Sequence, residues 1–248
     1  MGSNRERETL TPVLSALTAS SGVAQRSFSP VASAPDHFSV IDQQVDALRN
    51  LARMVSDIMN GKQSAHAAGV LEIELQCDEV RRQNDTVIRA LCGSGSDLDE
   101  VRLTLESLER AAAGLWRIVA GFKGSRWSAD QGSRRMMTMV EKAIQSLGRG
   151  NRRLAKGYSA ASLDAAAAIA SHSHWFAQRG SEPRSTVGAD AQAARQGKGN
   201  GVMPPAFEYG AQDLFVRTLQ ENVAQVGEEI AIAAGCLKDW SQRIMAMG

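Results

Sequence analysis

The stretch LQENVAQVGEEIAIAAG, residues 219–235, decides the fold class. Its apolar residues Val223, Val226 and Ile230 recur at three- and four-residue steps, which is the spacing of one face of an α-helix. Small residues recur at similar steps and would allow another helix to approach closely: Ala224, Gly227, Ala231 and Ala234. The stretch therefore predicts a helix that packs tightly against a second helix.

The composition of the whole chain also favours helices packed on helices. Of its 248 residues, 43% are hydrophobic but only 5% are aromatic, whereas sheet sandwiches use many aromatic and β-branched residues. The formal net charge of +1 argues against a protein that mainly neutralises nucleic-acid phosphates, so we expect no nucleic-acid partner. No apolar run approaches the roughly 20 residues of a membrane span, so the chain should be peripheral to a membrane at most.

The cysteines and the missing catalytic motifs narrow the functional classes. The three cysteines, Cys77, Cys92 and Cys236, are far apart and form no C-x-x-C pair. A disulfide framework, a zinc site or a redox site is therefore not expected, and a reducing cytoplasm is the simplest compartment. The sequence contains neither a G-x-S-x-G motif nor a complete phosphate-binding loop, so we do not expect an enzyme.

Two segments lack any helical pattern. Residues 1–38 are rich in Ser, Thr, Ala and Pro and predict a disordered arm. Residues 180–206 show no apolar periodicity and predict a long flexible loop. The remaining chain shows the apolar spacing of six helices and no strand-like alternation, which predicts an all-α fold. Shorter breaks are expected at Asn60-Gly61, at Gly93 to Asp97, in the connector 124–132 and at Gly148 to Asn151.

The order of three helices, a connector and three helices suggests an internal duplication. When Asn60-Gly61 is aligned with Arg149-Gly150, the apolar positions of the two halves fall in phase, although few residues are identical. We therefore predict two tandem antiparallel three-helix bundles, residues 39–123 and 133–248. Chance agreement between two amphipathic patterns is the alternative explanation.

The third helix of each half resembles the signature of the PhoU family, phosphate-transport accessory and regulatory proteins built from two three-helix repeats. That signature is similar to N-L-E-R-I-G-D-H-A-x-N-I-A. The second half of this chain reads NVAQVGEEIAIAA at residues 222–234, and the first half reads LERAAAG at residues 108–114. The stretches VLEIELQCDEVRRQNDTVIRAL, residues 70–91, and AIQSLGRGNRRLAKGYSAASLDAAAA, residues 143–168, are also similar to the family. The resemblance covers residues 42–245, and no single motif in it is complete.

The resemblance implies a metal site, but only half of the ligands are present. In the family, two acidic residues four positions apart on the signature helix bind metal clusters, and this spacing places both on one helix face. In the first half, Glu109 occupies the first acidic position, but the position four residues later is Ala113. In the second half, Glu228 occupies the second acidic position, but the position four residues earlier is Ala224. Each half therefore keeps one acid of the pair. The implied cofactor is a divalent metal or iron held by Glu109 and Glu228. Surface carboxylates that pair with a nearby Arg are the alternative.

Three further sets of polar residues each allow more than one interpretation. Glu74 and Asp78 have the same four-residue spacing and could assist a metal site or form surface ion pairs. A basic cluster could bind a partner, namely a phosphate, an acidic protein or an anionic membrane face, or could be a solvated helix face. The cluster consists of Arg149, Arg152, Arg153 and Lys156. His172 and His174 point in different directions on a helix and cannot chelate one ion.

The resemblance implies a cytoplasmic regulatory adaptor that controls phosphate uptake and phosphate signalling. Its partners would be a phosphate transporter subunit and a sensor kinase, and a homodimer is one possible form. Two other classes stay open. Ala-rich amphipathic helices also suit a helical scaffold or granule-coat protein similar to phasins, and a Ser-rich arm suits a secretion-associated helical protein. The neighbouring genes would separate the three classes.

Overall fold

A computed structural model describes residues 37–91, 99–158, 160–179 and 206–246. In these ranges all regular secondary structure is α-helix, which confirms the predicted all-α class. In chain order the helices are α1 (His37–Met59), α2 (Ala68–Leu91), α3 (Asp99–Lys123), α4 (Gln131–Ala155), α5 (Ala161–Arg179) and α6 (Ala206–Ala246). None of these helices is both long and apolar enough to cross a membrane.

The predicted unstructured segments fall almost entirely outside the described residues. Helix α1 begins at His37, so His37 and Phe38, the last two residues of the predicted arm 1–38, are helical. The predicted loop 180–206 is described only at Ala206, the first residue of α6. The predicted loop from Gly93 to Asp97 is not described at all.

The helices bury the apolar faces that their sequences predict, except in α2. In α1, Val45, Leu48 and Leu51 are at most 2% exposed. In α2, by contrast, only Val70 and Val87 are buried among the apolar side chains that the structure describes. Helix α2 therefore covers one side of the core and keeps most of its surface in water.

The described helices pack on one another as a single connected set. Helices α1, α2 and α3 contact each other, and so do α4, α5 and α6. The contact of α3 with α6, which joins the two halves of the chain, is the most extensive of the described helix contacts, and α1 also packs on α4. All described helices belong to one compact unit, residues 35–248. The division into repeats 39–123 and 133–248 stays a prediction.

The predicted break at residues 148–151 is wrong, because α4 continues through it as regular helix. Both of its glycines are buried where another helix approaches. A Cβ atom on Gly148 would lie 3.0 Å from Val45 Cγ1 of α1, and one on Gly150 would lie 2.9 Å from Leu237 Cδ2 of α6. These glycines make room for neighbouring side chains rather than ending the helix.

The turn between α4 and α5 lies instead at Gly157. Its φ of +74° is in the left-handed region that glycine adopts without steric cost, and Gly61 at the end of α1 has a φ of +70°. Gly61 therefore corresponds in backbone conformation to Gly157 and not to Gly150, with which the sequence alignment paired it.

The start of α4 follows from a capping aspartate. The Asp130 carboxylate accepts hydrogen bonds from the backbone N–H groups of Gly132 and Ser133, each at 3.1 Å. An N-cap side chain satisfies N–H groups that have no partner inside the helix, and this fixes the first turn. As a result, Gln131 and Gly132, the last two residues of the predicted connector 124–132, belong to α4.

Candidate functional site

The two segments that resemble the family signature meet where α3 packs on α6. Arg110 Nε donates a hydrogen bond to Glu229 Oε2 at 2.9 Å, and Arg110 Nη2 donates to Ser107 Oγ at 2.9 Å. Glu229 is only 9% exposed, so the ion pair with Arg110 offsets part of the cost of burying its carboxylate. Glu229, one of the two adjacent glutamates on α6, thus joins α6 to α3.

Close backbone approach is the second feature of the α3–α6 contact. A Cβ atom on Gly114 would lie 2.6 Å from Val226 Cγ2, a distance that no side chain could occupy without a shift. One turn along α3, Arg117 Nη2 donates to Gln225 Oε1 at 2.9 Å. The signature-like segments therefore supply helix packing and cross-helix hydrogen bonds.

Glu109 lies on the side of α3 that faces α2. Burial raises the pKa of its carboxyl, and the charges of Asp85 and Glu106 raise it further. The Arg81 charge and a hydrogen bond from the Asn84 side chain oppose this rise in pKa. Its Oε1 atom is buried and has no hydrogen-bond partner among the described residues. The environment of Glu109 therefore favours the neutral acid.

A buried amide network continues from Glu109 toward α1. Asn84 is 1% exposed, and its Nδ2 donates to Gln44 Oε1 at 2.6 Å. The Asn84 Oδ1 atom is also buried without a partner. The network links one polar side chain from each of α1, α2 and α3.

Glu228 has different surroundings. It is exposed on α6, and its charge raises the pKa of His172 on α5, although burial has the larger effect and lowers that pKa overall. A Cβ atom on Gly227 would lie 3.0 Å from His172 Nδ1. A groove of about 290 Å³, including its open mouth, lies here between α4, α5 and α6, lined in part by Met136 and Val140.

The described residues do not fit the metal site that the resemblance implies. Glu109 lies beside α2, whereas Glu228 lies beside His172 on α5. The two carboxylates therefore have different neighbours and do not share a ligand set. Across the described ranges, no group of three or more His, Cys, Asp or Glu side chains could hold an ion. Asp78, which could have assisted, pairs with Arg81 at 3.3 Å, and Glu74 is exposed.

The predicted basic cluster is largely used within the fold. Arg149 and Arg153 both contact the nearly buried Asp164 of α5, at 3.4 Å and 2.6 Å. Arg152 contacts Asp42 of α1 at 2.9 Å. Lys156 is exposed and forms no ion pair within the described residues. Three of the four basic side chains therefore join α4 to its neighbours, although 43–49% of each of these arginine side chains stays exposed.

Sequence reasoning missed the buried polar residues that organise these contacts. Gln44 is 5% exposed and lies among the buried apolar residues of α1; a polar residue on a core-facing stripe was the available signal, because buried amides need partners. Asp164, in the first turn of α5, gave no comparable signal. Its partners on α4 become evident only after the helices pack.

Comparison with known proteins does not assign this chain to a family. No protein-family model, no curated protein and no solved structure matches this chain.

Proposed function

We propose that this chain is a PhoU-like regulatory adaptor. It acts in the cytoplasm on a phosphate transporter subunit and its sensor kinase, and it limits phosphate uptake and signalling when phosphate is plentiful. The observation that supports the proposal is the all-α fold with six described helices, three in each half of the chain. Two three-helix units are what the resemblance of residues 42–245 implies.

The chemistry of the signature segments supports an adaptor that works by contact rather than through a metal. Arg110, Glu229 and Gly114 are used to hold α3 on α6. A tightly joined centre suits a protein that presents its outer helix faces to partners. Three of the four basic cluster residues form internal ion pairs but keep 43–49% of their side chains exposed, so the cluster stays a predicted partner surface beside the other exposed faces.

Capture from membranes tests this proposal. The full-length chain with an affinity tag is used as bait on detergent-solubilised membranes of the source cells grown with abundant phosphate, and the enriched proteins are identified by mass spectrometry. Enrichment of a phosphate transporter subunit or a phosphate sensor kinase is the expected result. Enrichment of storage-granule or secretion proteins, with neither phosphate protein present, would contradict the proposal and favour one of the other two classes.

A further inference from the structure

Helix α2 exposes two large apolar side chains on one face. Leu71 is 59% exposed and Leu75 is 61% exposed, and residues four apart lie one above the other on a helix. Val70 is buried, and Ile73 and Cys77 pack against the core from the opposite side of the helix. The two leucines are therefore not needed for the core that α2 covers.

Acidic residues flank these leucines. The four carboxylates of this part of α2 are Glu72, Glu74, Asp78 and Glu79. The sequence contains no Lys or Arg between Lys62 and Arg81. Asp78 and Glu79 pair with Arg81 and Arg82 in the next turn, whereas Glu72 and Glu74 form no ion pair within the described residues. We name Leu71, Leu75, Glu72 and Glu74 the α2 ridge.

We infer that the α2 ridge is a docking surface for a basic amphipathic segment of a membrane protein, at the cytoplasmic end of a transmembrane helix. Such segments carry an excess of Lys and Arg. An amphipathic helix would cover the leucines with its apolar side and place its basic residues against the carboxylates. This inference rests on the proposed function and specifies where the adaptor contacts its membrane partner.

The charge of the ridge disfavours other occupants. An anionic membrane surface would repel Glu72 and Glu74. A second copy of this chain offers Arg149, Arg152 and Arg153, which are 43–49% exposed, but each already shares its charge with Asp164 or Asp42, so they would offer the ridge partly neutralised charges. A separate protein segment with unpaired basic residues is the occupant whose charge complements the ridge.

A peptide pair provides the probe. One peptide is an amphipathic helix of Leu and Lys, and the other replaces every Lys by Glu while keeping the same apolar face. Binding of each fluorescently labelled peptide to the full chain is measured by fluorescence anisotropy. The Leu–Lys peptide should bind, and the Leu–Glu peptide should bind at least about tenfold more weakly, because its charges repel the ridge.

Matched variants distinguish binding at the α2 ridge from nonspecific binding to other exposed side chains. Leu71→Ala with Leu75→Ala, and Glu72→Lys with Glu74→Lys, should each weaken Leu–Lys peptide binding by about tenfold or more. Leu163→Ala with Leu214→Ala removes two leucines that are 71% and 66% exposed elsewhere and should leave binding unchanged. Glu221→Lys, an exposed position on α6, should have a small effect. Alanine and lysine are both strong helix formers, so all four variants should fold.

The inference would be overturned if the full chain bound both peptides equally well. It would also be overturned if the α5 and α6 control variants lost as much affinity for the Leu–Lys peptide as the ridge variants do. Tighter binding of the full chain to anionic vesicles than to the Leu–Lys peptide would overturn it as well. A wild-type dimer that becomes a monomer in the Leu71→Ala, Leu75→Ala variant would assign the ridge to a second copy instead.

The proposed function and the ridge proposal can fail separately. If the leucine variant still captures the phosphate transporter subunit, only the ridge is refuted; if the ridge binds peptide but no phosphate protein is captured, only the proposed function is refuted.

Discussion

At the residue scale, Glu109 is a half-buried acid whose Oε1 atom has no hydrogen-bond partner among the described residues. Burial raises the pKa of its carboxyl above the usual value. The charged form is therefore disfavoured in the fold, and the protein binds a proton more readily folded than unfolded. The stability linked to this proton is fully present below the unfolded pKa and is lost as pH rises through the folded pKa.

Glu109→Gln should therefore stabilise the protein at pH 7. Glutamine is neutral and can donate to the unpartnered Asn84 Oδ1. The gain should not exceed about 1 kcal/mol, because water screens half of the carboxyl. It should shrink toward zero as pH falls below the usual Glu pKa, where the wild-type acid is also neutral. Urea unfolding at several pH values measures the difference.

Glu221→Gln is the matched control for that comparison. Glu221 is exposed on α6 and is not among the charges that act on Glu109, so its replacement should give no gain at pH 7. A Glu109→Gln variant that is less stable than the wild type at pH 7 would show that the carboxylate is charged and satisfied in the fold.

The surroundings of Glu109 and Glu228 also predict the response to chelators. Because the described residues form no cluster of three ligands, EDTA should change the melting temperature by less than about 1 °C, since only a ligand bound to the fold raises that temperature. Circular dichroism before and after EDTA, with elemental analysis of the purified chain, measures this. A fall of several degrees with release of a stoichiometric metal would refute the interpretation, and Glu109→Ala and Glu228→Ala would then locate the ion.

At the scale of the helices, glycine positions report how closely α3 and α6 approach. Gly114→Ala should destabilise the protein by about 1–3 kcal/mol, because its Cβ would lie 2.6 Å from Val226 Cγ2. Gly235→Ala on α6 has no atom within 4 Å of the new Cβ and should stabilise by about 0.5–1 kcal/mol through helix propensity. Urea unfolding of both variants compares them. Equal stabilisation by both would mean that α3 and α6 are farther apart than described.

The α4–α5 contact depends on one nearly buried carboxylate. Asp164→Asn should cost about 1–3 kcal/mol, because Arg149 and Arg153 would lose the charge they share. Asp213→Asn removes an exposed pair with Arg217 within α6 and should cost only about 0.2–0.5 kcal/mol. Thermal or urea unfolding measures both changes. If the two cost the same, Asp164 does not join α4 to α5.

The sequence predicted helices and their core faces well because apolar spacing is a local property. The sequence-based predictions are wrong where the role of a residue depends on a neighbouring helix. Gly148 and Gly150 predict an interruption of the helix, but in the fold they leave room for the side chains of Val45 and Leu237. The partners of Arg149 and Glu109 lie on other helices as well. No local spacing predicts such contacts, so the site was less predictable than the fold.

At the scale of the whole molecule, the described helices form one connected set, in which α3 packs on α6 and α1 packs on α4. The ion pair of Arg110 with Glu229 lies between α3 and α6. Leu71 and Leu75 on α2 are exposed. This arrangement leaves the α2 ridge accessible for the contact proposed above.

Phosphate uptake in living cells tests the central claim most directly. Labelled phosphate uptake is measured in phosphate-replete source cells with and without the gene. The account predicts that uptake rises when the gene is deleted, returns to normal with the full chain, and returns only in part with the Leu71→Ala, Leu75→Ala variant. Uptake that is the same with and without the gene would contradict the account.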